Sequence, residues 1–436
     1  MATLARVAFP LRFVRLACPT GIHRPTRLGV PAPSASRKSA RNARPGFASA
    51  TRRRLLARGK HGGVIMHGAR REPALTLRAL NRATLARQML LAREPIAVTA
   101  AIERLVGLQA QVARPPFIGL WSRVAGFRRA DLVDRIERRE VVRATMMRGT
   151  LHLATARDYI ALRATIQPAL TRGLRAILRQ RADDLDIGRL VAIAHDFFAA
   201  QPRTFDALRV FLSQSAAGDV RANAYAVRMN LPLVQTPAPG QRWAYPAVAN
   251  FAVADAWTGR PIDGHDRPEV LVKRYLAAFG PATASDMQTW SGHNELKDVV
   301  AAMRPELTVV RDDRGRELMD LPDAPRPDPD TPAPLRFLPE FDNVLLSHAD
   351  RTRILADAHR RAVFLPALRV SATFLVDGFV SGTWSVQRAK ARATLVVEPF
   401  TKLPRKTCDE VAAEGDQLLR FVEEDASSFA VEFAKT

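Results

Sequence analysis

Cysteine is almost absent. The 436 residues contain two, Cys18 and Cys408, which excludes a disulfide framework and a cysteine-based zinc site. No run of 18 or more apolar residues exists, so no transmembrane helix and no membrane partner are expected. The nine histidines include no His-Glu-x-x-His arrangement. No Walker-type or dinucleotide-type glycine motif stands between a strand and a helix. No metal and no cofactor are therefore expected, and a reducing, intracellular compartment fits best.

Acidic residues are missing altogether from one end. Residues 1–71 hold 16 Lys/Arg and no Asp or Glu, while the whole chain carries +23. From Glu72 onward only +7 remains. Within that part, Trp121 to Gln180 holds 13 Arg against 5 acids, a local +8. A balance this basic points to a polyanion, nucleic acid before membrane. Residues 1–70 are rich in Arg, Pro, Ser, Gly and Ala and lack a sustained period, so they read as a basic disordered leader. A start placed too early fits equally, with Met66 just before the first helical pattern. A transit peptide and a nucleic-acid arm are the alternatives.

What is present is a repeated order of elements. Apolar spacing predicts helices over Leu75–Leu91, Val98–Leu108 and Arg129–Arg139, with Pro115-Pro116 forcing an extended segment. Two β-like runs follow, Val141–Met146 and Thr150–Ala154, around Arg148-Gly149. Three helices and a hairpin is the order of a winged helix-turn-helix, spanning residues 75–155. A second unit is expected over 156–262: helices Arg157–Arg179, Gly188–Ala200, Phe205–Ser213 (N-capped by Thr204) and Val220–Met229, then a hairpin of Leu233–Thr236 and Arg242–Tyr245. A third is expected over 263–321, from Pro268–Phe279, Thr283–Trp290 and Glu295–Met303, with Glu306–Arg311 and Glu317–Leu321 as its hairpin. Residues 322–334, rich in Pro and Asp, read as a linker. Residues 335–436 turn to strands: Leu335–Leu338, Ala362–Leu365, Thr373–Val376, Phe379–Trp384 and Ala393–Glu398. Asp377-Gly378 is a hairpin turn, and helix Glu410–Val422 closes the chain. The expected fold class is α+β, with tandem winged helix-turn-helix units and a small C-terminal β domain.

Four motifs carry a resemblance. They are Gly107-Leu108-Gln109-Ala110-Gln111 with Pro115-Pro116-Phe117-Ile118-Gly119-Leu120-Trp121-Ser122-Arg123; Met147-Arg148-Gly149-Thr150-Leu151-His152; Leu338-Pro339-Glu340-Phe341-Asp342-Asn343-Val344-Leu345-Leu346; and Val376-Asp377-Gly378-Phe379-Val380-Ser381-Gly382-Thr383-Trp384. In this order they resemble the AlkZ-type winged-helix DNA glycosylases, from about Leu75 onward. The resemblance implies tandem winged helices around a basic channel for double-stranded DNA. It also implies excision of alkylated purines, notably N7-alkylguanine, and in some members of interstrand crosslinks. The family's Gln-x-Gln signature falls on Gln109 and Gln111.

That chemistry stands on its own terms. Glycosidic hydrolysis ordinarily takes two carboxylates, an acid and a base. Glutamine titrates as neither. An N7-alkylated guanine already bears positive charge and leaves as a neutral base, so acid help is dispensable. A held water and support for an oxocarbenium-like sugar remain necessary, and two amides can supply both. In an extended segment residues i and i+2 face one side. Arg123, Arg143, Arg148, Thr150 and His152 are the candidate DNA-binding residues. Arg148 stands in the wing turn, where backbone contact is common, and His152, though it could approach the same site, reads first as a satisfied core or hairpin histidine. Asp342 is expected to pin the β domain rather than to react. Asp131–Arg135 and Asp134–Arg138 are candidate surface pairs at helical spacing. The leading expectation is a monofunctional DNA glycosylase, monomeric, cytoplasmic and nucleoid-associated. The rival is a non-enzymatic winged-helix DNA-binding protein, a regulator or damage binder.

Overall fold

The computed structural model describes residues 74–434. The expected leader over 1–70 lies outside the described residues. Helix Leu77–Arg87 opens the described chain, capped by the Thr76 hydroxyl, which accepts from Ala79 N. It ends before the expected Leu91 because Met89 turns into the left-handed region (φ 55°). This helix is buried on more than its apolar face. Asn81 donates to the carbonyls of Arg353 and Gly378, and Arg87 forms a fully buried pair with Asp320 at 2.7 Å.

Helices Val98–Arg104, Pro115–Trp121 and Arg129–Glu137 come next, then antiparallel strands Val141–Thr145 and Leu151–Thr155. The expectation that Pro115-Pro116 are extended is corrected here. Both prolines occupy the first turn of a helix, where their missing N–H groups have no intrahelical partner to lose. The extended stretch lies just before them, at Leu108–Gln109.

Helix Ala156–Leu178 follows, then Ile187–Ala200, Phe205–Ser215 and Val220–Asn230. Thr204 and Asp219 cap the last two through their side-chain oxygens. Strand Leu233–Gln235 pairs with Phe251–Val253, and Arg242–Tyr245 is not a strand. The reason is packing. Tyr245 is buried, and Trp243 meets the Phe117 ring edge-on at 5.1 Å while Arg129 lies over its face. The wholly buried run Phe251–Val253 takes the ladder instead. Strand Leu233–Gln235 also pairs with Val141–Thr145, so both hairpins share one antiparallel five-stranded sheet. Its order is Leu108–Gln109, Leu151–Thr155, Val141–Thr145, Leu233–Gln235, Phe251–Val253.

The next elements fall close to expectation: helices Pro268–Phe279, Ala284–Ser291 and Leu296–Met303, then hairpin Thr308–Arg311/Glu317–Asp320. A second five-stranded sheet holds Arg336–Leu338, Thr373–Val376, Phe379–Ala389, Arg392–Pro399 and Ser428–Phe433, under helix Arg405–Val422. Asp377 and Gly378 both take positive φ, 49° and 83°, as a tight two-residue hairpin requires. Two expectations fail here. Ala362–Leu365 is mostly the helical turn Arg360–Val363, with only Phe364–Leu365 paired, and the final strand Ser428–Phe433 was not anticipated. That strand runs parallel to its single neighbour along the sheet edge, with no fully buried residue to mark it. The architecture is mixed α/β, with helices against two sheets.

Candidate active site

Gln109 stands on the edge strand of the first sheet. Leu108 faces Leu153 and Gln109 faces His152 in the antiparallel register, and Ala110 N donates to Leu151 O at 2.7 Å. The chain enters this strand through Gly107, at φ 84°. A Cβ there would lie 3.1 Å from the Leu153 carbonyl, so glycine is required both by conformation and by space. Side chains hold the strand's outward carbonyls. Asn343 Nδ2 donates to Gly107 O at 2.7 Å and to Leu105 O at 3.3 Å. Arg143 Nε donates to Ala110 O at 2.8 Å and its Nη2 to Gln111 O at 3.1 Å. Arg114, three residues further on, pairs with Glu340 at 2.8 Å. Two of the sequence motifs, 107–123 and 338–346, therefore meet at one strand.

The two amides differ in exposure and share an orientation. Gln109 is 7% exposed, whereas Gln111 is exposed beside Val112, itself 53% exposed. Gln109 Oε1 accepts from Arg148 Nη2 at 2.7 Å, and Gln111 Oε1 accepts from Leu151 N at 2.9 Å. Arg148 and Gly149 form a left-handed turn, at φ 56° and 68°. The other terminal nitrogen of Arg148 donates to the Trp290 carbonyl. Burial, with Arg351 adding a like charge, pushes the Arg148 guanidinium down to about 10. His152 is buried beside it. Burial and then the Arg148 charge push its imidazole down to about 3, so it is neutral at physiological pH. Its Nδ1 lies 3.1 Å from Thr150 O. A carbonyl only accepts, so that nitrogen carries the proton. The Thr150 hydroxyl turns back to Met147 O at 3.1 Å.

The sequence-derived DNA contacts thus divide. Arg148, Thr150 and His152 gather around Gln109. Arg143 is 5% exposed and spends its guanidinium on the backbone of Ala110 and Gln111. Arg123 stands elsewhere, fully buried in a two-pronged pair with Asp342 at 2.9 and 2.8 Å. Asp342 pins the fold, as expected, and also caps helix Asn343–Leu346. Arg138 pairs with Asp134, but Arg135 reaches Glu140, and Asp131 takes Arg128 instead. Asn343 was missed, although it lies inside a quoted motif; a buried amide that holds a remote carbonyl leaves no periodic trace. Also missed were Arg172, Arg175 and Arg179, cations of the basic stretch that form neither an ion pair nor a side-chain hydrogen bond among the described residues, whereas Arg139, Arg143, Arg148 and Arg163 spend theirs on neutral oxygens. Arg172 and Arg175 line a groove of about 530 Å³ with Gln167, Thr171 and His293.

Residues 102–421, the span holding every group just described, match the DNA glycosylase AlkZ-like family. The chain belongs to that family. An interstrand DNA cross-link repair glycosylase of Streptomyces sahachiroi is 28% identical over 354 residues, covering 75% of this chain and 92% of that one. The solved structure of Streptomyces sahachiroi DNA glycosylase AlkZ has the same fold, with a TM-score of 0.64 at 23% identity over 83% of this chain and 100% of the other. This AlkZ-like protein is accordingly a DNA glycosylase, a hydrolase acting on DNA, and the non-enzymatic reading falls away. Among the described residues, no helix is long and apolar enough to cross a membrane.

Proposed function

We propose that this AlkZ-like glycosylase excises N7-alkylated guanine from duplex DNA and unhooks interstrand crosslinks made through that atom. Gln109 and Gln111 hold the attacking water at the sugar. The single observation that carries this reading is the placement of both glutamine amides. Gln109 ends the edge strand and Gln111 follows two residues on, in a segment whose backbone is fixed by Asn343 and Arg143, and each amide is locked by its own donor. The water oxygen bonds to the anomeric carbon while the glycosidic electron pair passes to the base and cancels its positive charge. The water's proton leaves to solvent. Neutral amides suffice because no group must protonate the departing base, and no step calls for a cofactor or metal. The name of the Streptomyces sahachiroi relative supports the crosslink as substrate.

DNA is held, on this reading, by winged helices over 75–155, 156–262 and 263–321. Consecutive helices followed by an antiparallel strand pair recur in that span, four helices in each of the first two stretches and three in the last, which supports the assignment. Arg172 and Arg175 on helix Ala156–Leu178, in the groove that reaches His293 next to the Gly292 turn packed on Arg148, and Arg179 on the helix's continuation supply unpaired positive charge. Phosphate contacts of this kind make binding steeply dependent on salt. The test is to incubate the protein with duplex DNA carrying N7-methylguanine and count abasic sites. Excess sites over buffer are expected, and they should vanish in the Gln109→Ala/Gln111→Ala variant while DNA affinity is kept. Binding without base release would overturn the proposal.

A further inference from the structure

We infer that Arg148 is a positioning residue for the hydrolysis, fixing which end of the Gln109 amide faces the DNA. The inference rests on the role proposed above for Gln109. An amide side chain has two nearly isosteric ends, one accepting and one donating. Left alone on a strand edge it would sample both. A guanidinium only donates, so the atom 2.7 Å from Arg148 Nη2 is the Gln109 oxygen. A backbone N–H likewise only donates, so the atom 2.9 Å from Leu151 N is the Gln111 oxygen. Both oxygens are anchored inward. Neither Nε2 has a protein partner among the described residues, and neither is an enclosed, unsatisfied atom. The pair thus meets its substrate with N–H groups. These suit the oxygen of an attacking water, and the second lone pair of each carbonyl is left to accept a proton of that water.

The seat of Arg148 is built to hold it there. Its backbone is left-handed, and such strain in a non-glycine residue persists only where its surroundings over-determine it. The turn after helix Ala284–Ser291 presses against it. Gly292 has φ 80°, and a Cβ at that position would lie 3.2 Å from Arg148 Cα and 3.3 Å from Arg148 N. One guanidinium arm is spent on the Trp290 carbonyl and the other on Gln109. No carboxylate pairs with it among the described residues. Its partners are neutral protein oxygens, which is the pattern of a strut between the first hairpin and the third helix group and not of a free phosphate contact.

The experiment measures single-turnover excision of N7-methylguanine from duplex DNA at saturating enzyme, and affinity for undamaged duplex across salt concentrations. Arg148→Ala and Arg148→Gln should lose roughly 100-fold in rate, the scale of a displaced positioning group. Affinity should stay within about threefold and the salt slope should not move, because no phosphate contact is lost. Added guanidinium ion should restore part of the Arg148→Ala rate, which a purely structural role would not allow. Arg148→Ala combined with Gln109→Ala should be no slower than Gln109→Ala alone. Should Arg148→Ala fail to fold, Arg148→Gln carries the same comparison. A salt slope lowered by about 0.9 with the saturated rate intact would make Arg148 a phosphate contact and overturn the inference. So would additive losses in the double variant. A Gln109→Ala variant at full rate would instead overturn the proposed role of the glutamine, and this inference with it.

Discussion

Arg143→Met separates stability from catalysis. Arg143 is 5% exposed, and its guanidinium donates to Ala110 O at 2.8 Å and Gln111 O at 3.1 Å. Tyr245 lies 5.2 Å below it, and no carboxylate pairs with it among the described residues. Burial, with Arg228 adding a like charge, pushes the guanidinium down to about 10. At about 1.4 kcal/mol per pH unit, holding that charge in the fold costs about 3 kcal/mol. The two charge-assisted bonds return about 1.5–3 kcal/mol each. Methionine removes both sides of this balance at similar volume, so the net destabilisation should be about 0–3 kcal/mol. Yet the segment bearing both glutamines loses its anchor, and single-turnover excision should fall by about tenfold or more. Urea denaturation and an abasic-site assay at saturating enzyme measure the two effects. A stability loss above about 5 kcal/mol would refute the burial cost of the charge, and full activity would refute the anchoring role.

Three further outcomes follow from the same geometry. Asp342→Ala strands the fully buried Arg123 without its partner and should cost about 3–5 kcal/mol by chemical denaturation, while Arg123→Met/Asp342→Leu, which removes both charges, should cost less. The imidazoles of His152 and His348 are both pushed down to about 3, each first by burial. The unfolded chain then takes up protons that the fold refuses as pH falls below the ordinary histidine value of about 6.5, so stability should drop by about 1.4 kcal/mol per pH unit for each, from about pH 6.5 toward 3. A flat stability profile between pH 7 and 5 would contradict this. Finally, Arg172→Gln and Arg175→Gln should each lower the salt slope of duplex binding by about 0.9 without changing the saturated excision rate; an unchanged slope would remove these residues from the DNA interface.

Much of the fold was legible because its signals are local. Thr204 announced a helix start by its side-chain oxygen, Asp377-Gly378 announced a hairpin by its tolerance of positive φ, and Asp312-Asp313-Arg314-Gly315-Arg316 marked another hairpin as a polar, glycine-containing turn. The failures have a common cause. Pro115-Pro116 suit an extended segment and a helix's first turn equally, and only the packing of Phe117 and Leu120 into the core selects the helix. Trp243 and Tyr245 are aromatic residues of the kind strands favour, but aromatic packing claims them. The basic stretch from Trp121 to Gln180 marked the right region. It could not mark which arginines are spent, because the partners of Arg123 and Arg129 lie hundreds of residues away, at Asp342 and Glu424.

The family resemblance carried by four sequence motifs singled out Gln109 and Gln111, and elementary chemistry then showed how two neutral amides can serve in place of a carboxylate pair. The tertiary structure decided what those amides do with their oxygens. Sequence spacing puts Gln109 and Gln111 on one side of an extended segment; it says nothing of what lies opposite. Arg148 from the hairpin turn, Leu151 from the adjacent strand and Asn343 from a distant motif converge there only in three dimensions. Hydrogen-bond direction is set by such through-space partners, and an amide has no facing of its own until a donor chooses one.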